Sequence, residues 1–170
     1  MKRVALAVAA LVCALAQSAA ADAGGGGASA ASLRIAPSFD GHVGAWLLDG
    51  PFKAASRDPL TTDPPGVDEH ALAPTATSAA WKIASSGGGA IDVKAALKSD
   101  PLSRKSDLVA YAAGTLHLAR AEKIIMLLGS DDGVRVSVDG KVVLLREEAR
   151  PQRDDDDAVV LDLAAGDHPV

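Results

Sequence analysis

The chain has 170 residues, which is the length of about one domain. Its 22 acidic and 17 basic side chains give a formal net charge of −5, so the protein has no general electrostatic attraction to nucleic acid or to an anionic membrane. The single cysteine, Cys13, excludes an intramolecular disulfide.

The N-terminal residues are typical of an export signal. Lys2 and Arg3 precede an apolar run that ends at Ala16, and a small-residue stretch then offers an A-x-A cleavage site before Asp22. The apolar run is too short to span a bilayer, which takes about 17–25 residues. We therefore predict that residues 1–21 are a signal peptide. The processed protein would have no transmembrane segment and would be exported to the periplasm, the cell surface or the extracellular space.

The region after the signal is predicted to contain a linker, a first strand and a long loop. Residues 22–32 are rich in Gly, Ala and Ser, as flexible linkers are, and a β-sandwich module is predicted over residues 33–170. Ala-Trp-Leu-Leu at residues 45–48 favours a short strand, which the turn residues Asp-Gly-Pro-Phe at 49–52 should end. Residues 57–78 contain four prolines and should form a long surface loop.

The second half of the chain has the clearest strand patterns. Apolar and alternating runs are separated by turn residues about every 8–12 positions, which is typical of an antiparallel sandwich or barrel. Asp139-Gly140 favours a two-residue hairpin because both central positions of a type I′ turn need positive φ. With one helical turn capped by Asp92, these patterns predict an all-β fold, an antiparallel β-sandwich or jelly roll. The predicted strands cover residues 81–84, 108–118, 123–128, 133–138, 141–146 and 158–163.

The C-terminal residues suggest that the sandwich lacks its closing strand. Residues 166–170 are a turn followed by the beginning of a strand. A β-sandwich without its closing strand leaves an unpaired edge. We therefore expect the natural protein to continue past Val170, covalently continuous with a closing strand and further domains.

The candidate site is the turn formed by Ser130, Asp131, Asp132 and Gly133. Two adjacent carboxylates between two strands offer hard oxygen ligands that suit calcium (Ca²⁺), which takes about 6–8 oxygens. Backbone carbonyls, another loop or a ligand would have to supply the remaining oxygens. Alternatively, the aspartates only cap the turn by accepting hydrogen bonds from nearby backbone N–H groups.

No motif for catalysis is present in the sequence. The four histidines are scattered without zinc-ligand spacing, and the chain contains no Gly-x-Ser-x-Gly nucleophile motif. A second acidic run at residues 154–157 does not match a calcium-binding loop and is predicted to be a solvated loop. We therefore predict a non-catalytic module rather than an enzyme.

A longer motif around the candidate site resembles a known family. A buried strand runs into Ser-Asp-Asp-Gly, then an alternating strand, then an Asp-Gly hairpin. This order resembles the central motif of the β-sandwich module named after anthrax protective antigen, and that of related jelly-roll modules attached to bacterial glycosidases and exported proteins. The motif is Leu128-Gly129-Ser130-Asp131-Asp132-Gly133-Val134-Arg135-Val136-Ser137-Val138-Asp139-Gly140-Lys141.

The resemblance implies a non-catalytic module that binds glycans. In fungal adhesin members, the paired aspartates bind a calcium ion that contacts sugar hydroxyls. Carried over, this assigns Asp131 and Asp132 to calcium, and Asp131, Asp132 and Gly133 to the glycan or cell-envelope polysaccharide. The lectin members also use an asparagine ligand, and this chain contains no asparagine.

Two functions remain open from the sequence. The first is an exported module that binds carbohydrate, with calcium at the Asp-Asp turn. The second is a purely structural N-terminal scaffold module of a larger exported multidomain protein.

Overall fold

The computed structural model describes residues 4–7, 11–13, 34–35, 43, 45–55, 60–68, 80–85 and 90–170. Within these residues the regular structure is mostly β-strand with almost no helix, so the predicted all-β fold is confirmed. The helices are α1 (Val93–Ala96) and a 3₁₀ turn (Pro101–Arg104). The strands are β1 (Val4–Ala7), β2 (Leu11–Cys13), β3 (Arg34–Ile35), β4 (Ala45–Lys53), β5 (Lys82–Ser85), β6 (Leu108–Ala113), β7 (Thr115–Leu118), β8 (Glu122–Leu128), β9 (Val134–Val138), β10 (Lys141–Arg146), β11 (Asp157–Leu163) and β12 (Gly166–Pro169).

Most strand pairs are antiparallel, as expected for a β-sandwich. β4 lies between β5 and β6, β8 lies between β11 and β2, β7 lies between β12 and β3, and β9 and β10 form a hairpin. Two pairs are parallel, β1 with β6 and β3 with β7. Both β1 and β2 come from the segment predicted to be an export signal. None of the described helices is long and apolar enough to cross a membrane.

Two local predictions are confirmed in detail. Asp139 and Gly140 have φ angles of 52° and 72°, and they connect β9 to β10 as the hairpin signal predicts. The Asp92 side chain accepts a hydrogen bond of 2.9 Å from the Ala95 N–H and caps α1. The predicted linker, residues 22–32, lies outside the described residues. So do residues 57–59 and 69–78 of the predicted loop, whose residues 60–68 form turns without a strand or helix.

The prediction that residues 49–52 end the first strand is wrong. β4 continues to Lys53, and its register against β6 shifts between Asp49 and Phe52 as in a β-bulge. Gly50 has φ +120°, and a Cβ there would lie 3.2 Å from the Val109 carbonyl oxygen. A glycine at this position therefore lets the strand bend against β6 and continue, instead of turning away.

The apolar run of β8 is buried on one face only. Such a run favours a strand that is buried on both faces or lies at the centre of a sandwich. Ile124 and Met126 are buried, whereas Ile125 between them is 47% exposed, so burial on both faces is wrong, and β8 lies between β11 and β2. β8 therefore alternates like an ordinary sandwich strand.

The predicted strand over residues 108–118 is two strands in the structure. It is divided at Gly114 into β6 and β7, which belong to different sheets.

The buried side chains form two main clusters. The first, called the β4 cluster, includes Trp46, Leu48, Ala110 and Ile124. The second, called the β9 cluster, consists of Met126, Leu128, Val134, Val136, Val138 and Leu144. Val170 packs against both clusters and so lies where they meet.

The C-terminal strand is tied to the β9–β10 hairpin through a buried histidine. His168 is 8% exposed, with its Nδ1 atom 2.8 Å from Asp139 Oδ2 and its Nε2 atom 2.9 Å from the Ala164 carbonyl oxygen. Both partners are acceptors when Asp139 is ionised, so the protonated ring, which donates from both nitrogens, fits best. The hydrogen bonds to Asp139 and Ala164 raise the pKa of His168 above its ordinary value of 6.5, against the opposing effect of burial.

We expect the free energy of unfolding to fall as the pH rises from about 6.5 through the raised pKa of His168. The protonated ring stabilises the folded state below the pKa of the unfolded chain, and this contribution is lost as the folded ring deprotonates. Urea unfolding between pH 5.5 and 8.5 measures it. His168→Gln should remove this part of the pH dependence, whereas His117→Gln, on the exposed face of β7, should retain it. An unchanged pH profile in His168→Gln would contradict the assignment.

Candidate functional site

The candidate site lies on the turn between β8 and β9, as the sequence predicts. Asp131 is exposed and Asp132 is half-buried, whereas Ser130 is 2% exposed and Gly133 is buried. The four residues therefore divide into an outer pair of carboxylates and an inner pair that packs into the molecule. Of the three residues assigned to ligand binding, only Asp131 and Asp132 present side chains toward the surface.

The turn contains its own hydrogen bonds. The Ser130 hydroxyl donates to the Asp132 carbonyl oxygen at 2.8 Å, and the Asp132 N–H donates to Asp131 Oδ1 at 3.1 Å. These are the contacts expected when aspartate and serine side chains cap a turn. The capping interpretation therefore explains the side chains of Ser130 and Asp131, whereas Asp132 takes part in these two hydrogen bonds through its backbone.

Both glycines that flank the turn lie against backbone from the segment 146–153. A Cβ at Gly129 would lie 1.7 Å from the Arg153 carbonyl oxygen. A Cβ at Gly133 would lie 2.8 Å from the Arg146 carbonyl oxygen and 2.9 Å from Leu60 Cδ1. The requirement for glycine at both positions is therefore steric, because the end of β10 packs against Gly133 and the segment that connects β10 to β11 packs against Gly129.

A buried ion-pair cluster, which we call the Asp157 cluster, fastens the turn to the first residue of β11. The Asp157 side chain is 3% exposed and accepts a hydrogen bond of 2.6 Å from Arg146 Nε and another from Arg150 Nη2. The same Arg150 guanidinium donates to the Ser130 hydroxyl oxygen, at 2.8 Å from Nη2 and 3.3 Å from Nε. Arg150 thus bridges the turn and β11.

The charge of Asp157 is stabilised by its two arginines. Burial alone would raise the pKa of this carboxyl, but the hydrogen bonds and positive charges of Arg150 and Arg146 outweigh burial. The pKa therefore lies below its ordinary value of 3.8. The prediction that residues 154–157 are a solvated loop is correct for 154–156, which are exposed, but wrong for Asp157. Asp157 pairs with Leu128 in the β8–β11 ladder, which draws its side chain inward.

The donors available for a cation at this turn are the two outer carboxylates, Asp131 and Asp132. No group of three or more His, Cys, Asp or Glu side chains that could hold a metal ion occurs in the described part of the chain. A calcium ion at Asp131 and Asp132 would therefore need its remaining oxygens from backbone carbonyls, water or a sugar.

Comparison with known proteins gives no assignment. No protein-family model matches the chain, and neither a curated protein nor a solved structure is significantly similar to it. The resemblance to the protective-antigen module consequently depends on sequence patterns alone, of which the motif at residues 128–141 is the most specific.

Proposed function

We propose that this chain is a non-catalytic structural module of an exported protein, with the Ser130–Gly133 turn as part of its framework. The observation that carries the proposal is the contact of Arg150 with both Ser130 and Asp157. The buried hydroxyl of Ser130 therefore serves to hold the turn against the beginning of β11. Reactive groups of an enzyme, by contrast, must be positioned to reach a substrate.

The burial of the tryptophans supports the same proposal. Trp46 is 3% exposed and Trp81 is 7% exposed, so both pack in the interior. Carbohydrate sites often use an exposed aromatic ring for stacking, since such a ring is apolar on its face and polar at its edge. These two rings serve packing instead, and they are the only tryptophans of the chain.

The second candidate function is calcium-dependent binding of a glycan or cell-envelope polysaccharide through Asp131 and Asp132. The observation that favours it is the position of the exposed Asp131 next to the half-buried Asp132. Both lie on a turn whose backbone accepts a hydrogen bond from the buried Ser130 hydroxyl. Two carboxylates on a rigid turn are a suitable beginning for a calcium site. We assign export to both candidates.

The two candidates differ in the effect of calcium on thermal stability. For the structural module, we expect the same melting temperature in millimolar calcium and in EDTA. Asp131→Ala should then cost about 0.5–2 kcal/mol, by analogy with the loss of an aspartate cap. A calcium ion bound only by the folded state at 100 times its Kd would add about 2.7 kcal/mol. That contribution would shift the melting temperature by several degrees.

The control for this experiment is Asp154→Ala, which removes the same charge from an exposed position outside the turn. A calcium shift that is present in the parent chain and in Asp154→Ala but absent in Asp131→Ala would overturn the structural assignment. It would also identify the chain as a calcium-dependent module, and the next experiment would be a screen for glycan binding in the presence of calcium. If calcium leaves the melting temperature of each of the three proteins unchanged, the calcium site is ruled out, whatever stability Asp131→Ala loses.

A further inference from the structure

β11 has an open edge that can accept a further strand. Its seven residues pair with β8 on one side without a register shift, and none of the described strands pairs with its other side. Such an edge presents unpaired backbone N–H and C=O groups, which proteins usually protect with a bulge, a proline or a charged residue such as lysine. The β11 ladder has no bulge, and its residues include no proline, glycine, lysine or arginine.

The other edge strands in the described part of the chain are shorter than β11, and several are protected. β10 has six residues, but its register against β9 shifts between Val142 and Leu144, and it carries Lys141 and Arg146 at its ends. β9 has five residues and contacts β1. β5 and β12 have four residues each, and β12 ends with Pro169. β11 therefore offers the longest regular edge among these strands.

The outer face of the sheet carries an apolar strip that ends at β11. Val160 is 58% exposed and Ile125 is 47% exposed, and they lie opposite each other in the β8–β11 ladder. Ala158, which is exposed, and Leu127, which is half-buried, form the next pair on the same face. A strand placed beyond β11 would cover the open side of Val160 and Ala158 and so remove apolar surface from water.

The inner face of β11 is also incompletely buried. Val159, Leu161 and Leu163 alternate with the outer residues and are only half-buried, although they pack against the core. They lie at the margin of the core because β11 is the last described strand of its sheet. A strand beyond β11 would therefore gain apolar contacts on both of its faces.

A second copy of β11 matches this edge in antiparallel orientation, with the two-fold axis at Val160. In that register Val160 lies opposite its own equivalent, and the outer strip becomes a row of four apolar side chains, Ile125 and Val160 from each copy. On the inner face Val159 lies opposite the second copy's Leu161, and the two-fold symmetry repeats this pair. Apolar side chains therefore face apolar side chains on both surfaces of the joined sheet.

The charges at the edge favour the same register. Asp162 is exposed on the outer face and is paired with Lys123, whose Nζ atom lies 2.7 Å from Asp162 Oδ1. With the axis at Val160, Asp162 faces the second copy's Ala158, and the two Asp162 side chains lie about 13 Å apart along the strands. An axis at Asp162 would instead place the two carboxylates directly opposite each other, which destabilises a pair of strands.

We propose that the open edge of β11 is the interface of a homodimer, in which residues 158–162 of two copies pair antiparallel about Val160. The two sheets formed by β11, β8 and β2 thereby join into one. The contact is isologous, so it uses the open edge of both copies and ends at two chains instead of growing into a filament. The interface lies outside the Ser130–Gly133 turn, so it is compatible with a structural module and with a glycan-binding one.

The test is sedimentation velocity of the full chain, residues 1–170, over a series of protein concentrations. We expect a dimer fraction that rises with concentration, without larger species. Val160→Lys places two like charges opposite each other at the axis and should abolish the dimer. The matched control is Val142→Lys, because Val142 is 57% exposed and lies on β10, outside the interface. It should leave the dimer fraction unchanged.

The register is tested by disulfide formation in chains that also carry Cys13→Ser. Residues directly opposite in an antiparallel pair have Cα atoms about 4.5–5.5 Å apart, which is within the range of about 4.4–6.8 Å that a disulfide spans. Val160→Cys should therefore give a disulfide-linked dimer on mild oxidation. Asp162→Cys, on the same face and about 13 Å from its equivalent, should not.

The proposal is overturned if the parent chain is monomeric at every concentration, or if it assembles into species larger than a dimer. An equal loss of dimer in Val160→Lys and Val142→Lys would also overturn it, as would disulfide formation that is no faster in Val160→Cys than in Asp162→Cys. Far-UV circular dichroism of each variant verifies that it is folded. If Val160→Lys does not fold, the comparison of the two cysteine variants decides the question.

Discussion

Asp157→Ala should lower the free energy of unfolding by about 3–5 kcal/mol, because removing one member of a buried ion pair leaves an uncompensated charge. The Arg150 side chain is 15% exposed, and its nearest other carboxylate is that of Asp156, at 3.6 Å. It therefore depends on Asp157 for neutralisation. Arg146 is more exposed and can turn toward solvent. Urea unfolding at pH 7 measures the loss.

Asp156→Ala is the matched control, because it removes the same charge from a neighbouring position in the same loop. Its pair with Arg150 is longer than a normal hydrogen bond, so we expect a loss of at most about 1 kcal/mol. Equal losses in the two variants would mean that Asp157 does not anchor the turn.

The pH dependence of the parent chain gives a second measure of the Asp157 cluster. The pKa of Asp157 is lowered in the folded state, so its ionised form stabilises the fold at every pH above the ordinary aspartate pKa of 3.8 that applies to the unfolded chain. This contribution is lost as the pH falls through the lowered pKa. Asp157→Ala should therefore lack that part of the acid-induced destabilisation, whereas Asp156→Ala should retain it.

The strands could be predicted from the sequence wherever their signal is local. β9 alternates buried and half-buried residues over its whole length, and the Asp139-Gly140 turn follows it directly. The buried face of β9 and the β9–β10 hairpin are therefore both specified by residues that are close together in the sequence. The same reasoning failed at residues 49–52. Whether Gly50 turns the chain or only bends the strand depends on β6, which lies more than fifty residues later in the sequence.

The candidate site could be predicted as a turn but not as part of a buried cluster. The sequence places Ser130 beside the two aspartates, but Arg150, which donates to its hydroxyl oxygen, is 20 residues away. Asp157 looked like the fourth member of an acidic run, because sequence composition does not distinguish a solvated aspartate from one that enters a strand between two arginines. The available signal was the glycine at each end of the turn, which indicates a close approach of other backbone.

Gly129→Ala should be among the most destabilising single substitutions in the described part of the chain. The added Cβ would lie 1.7 Å from the Arg153 carbonyl oxygen, and this neighbour is backbone rather than the end of a flexible side chain. Overpacking costs about 1–3 kcal/mol where side chains can adjust, so we expect at least the upper end of that range here. Urea unfolding measures the loss, and hydrogen exchange should show increased opening of residues 150–157.

The matched control is Gly140→Ala, at a glycine with φ +72° and no atom within 4 Å of the added Cβ. It should cost only the left-handed backbone strain, about 1–2 kcal/mol. If both variants lose the same stability, the segment that connects β10 to β11 does not press on the turn. If Gly129→Ala loses more stability than Gly140→Ala, we attribute the difference to displacement of the Arg153 backbone, which belongs to the same segment as Arg150. The double variant Gly129→Ala/Asp157→Ala should then lose less than the sum of the two single losses, because both substitutions disrupt the same contact between the turn and β11.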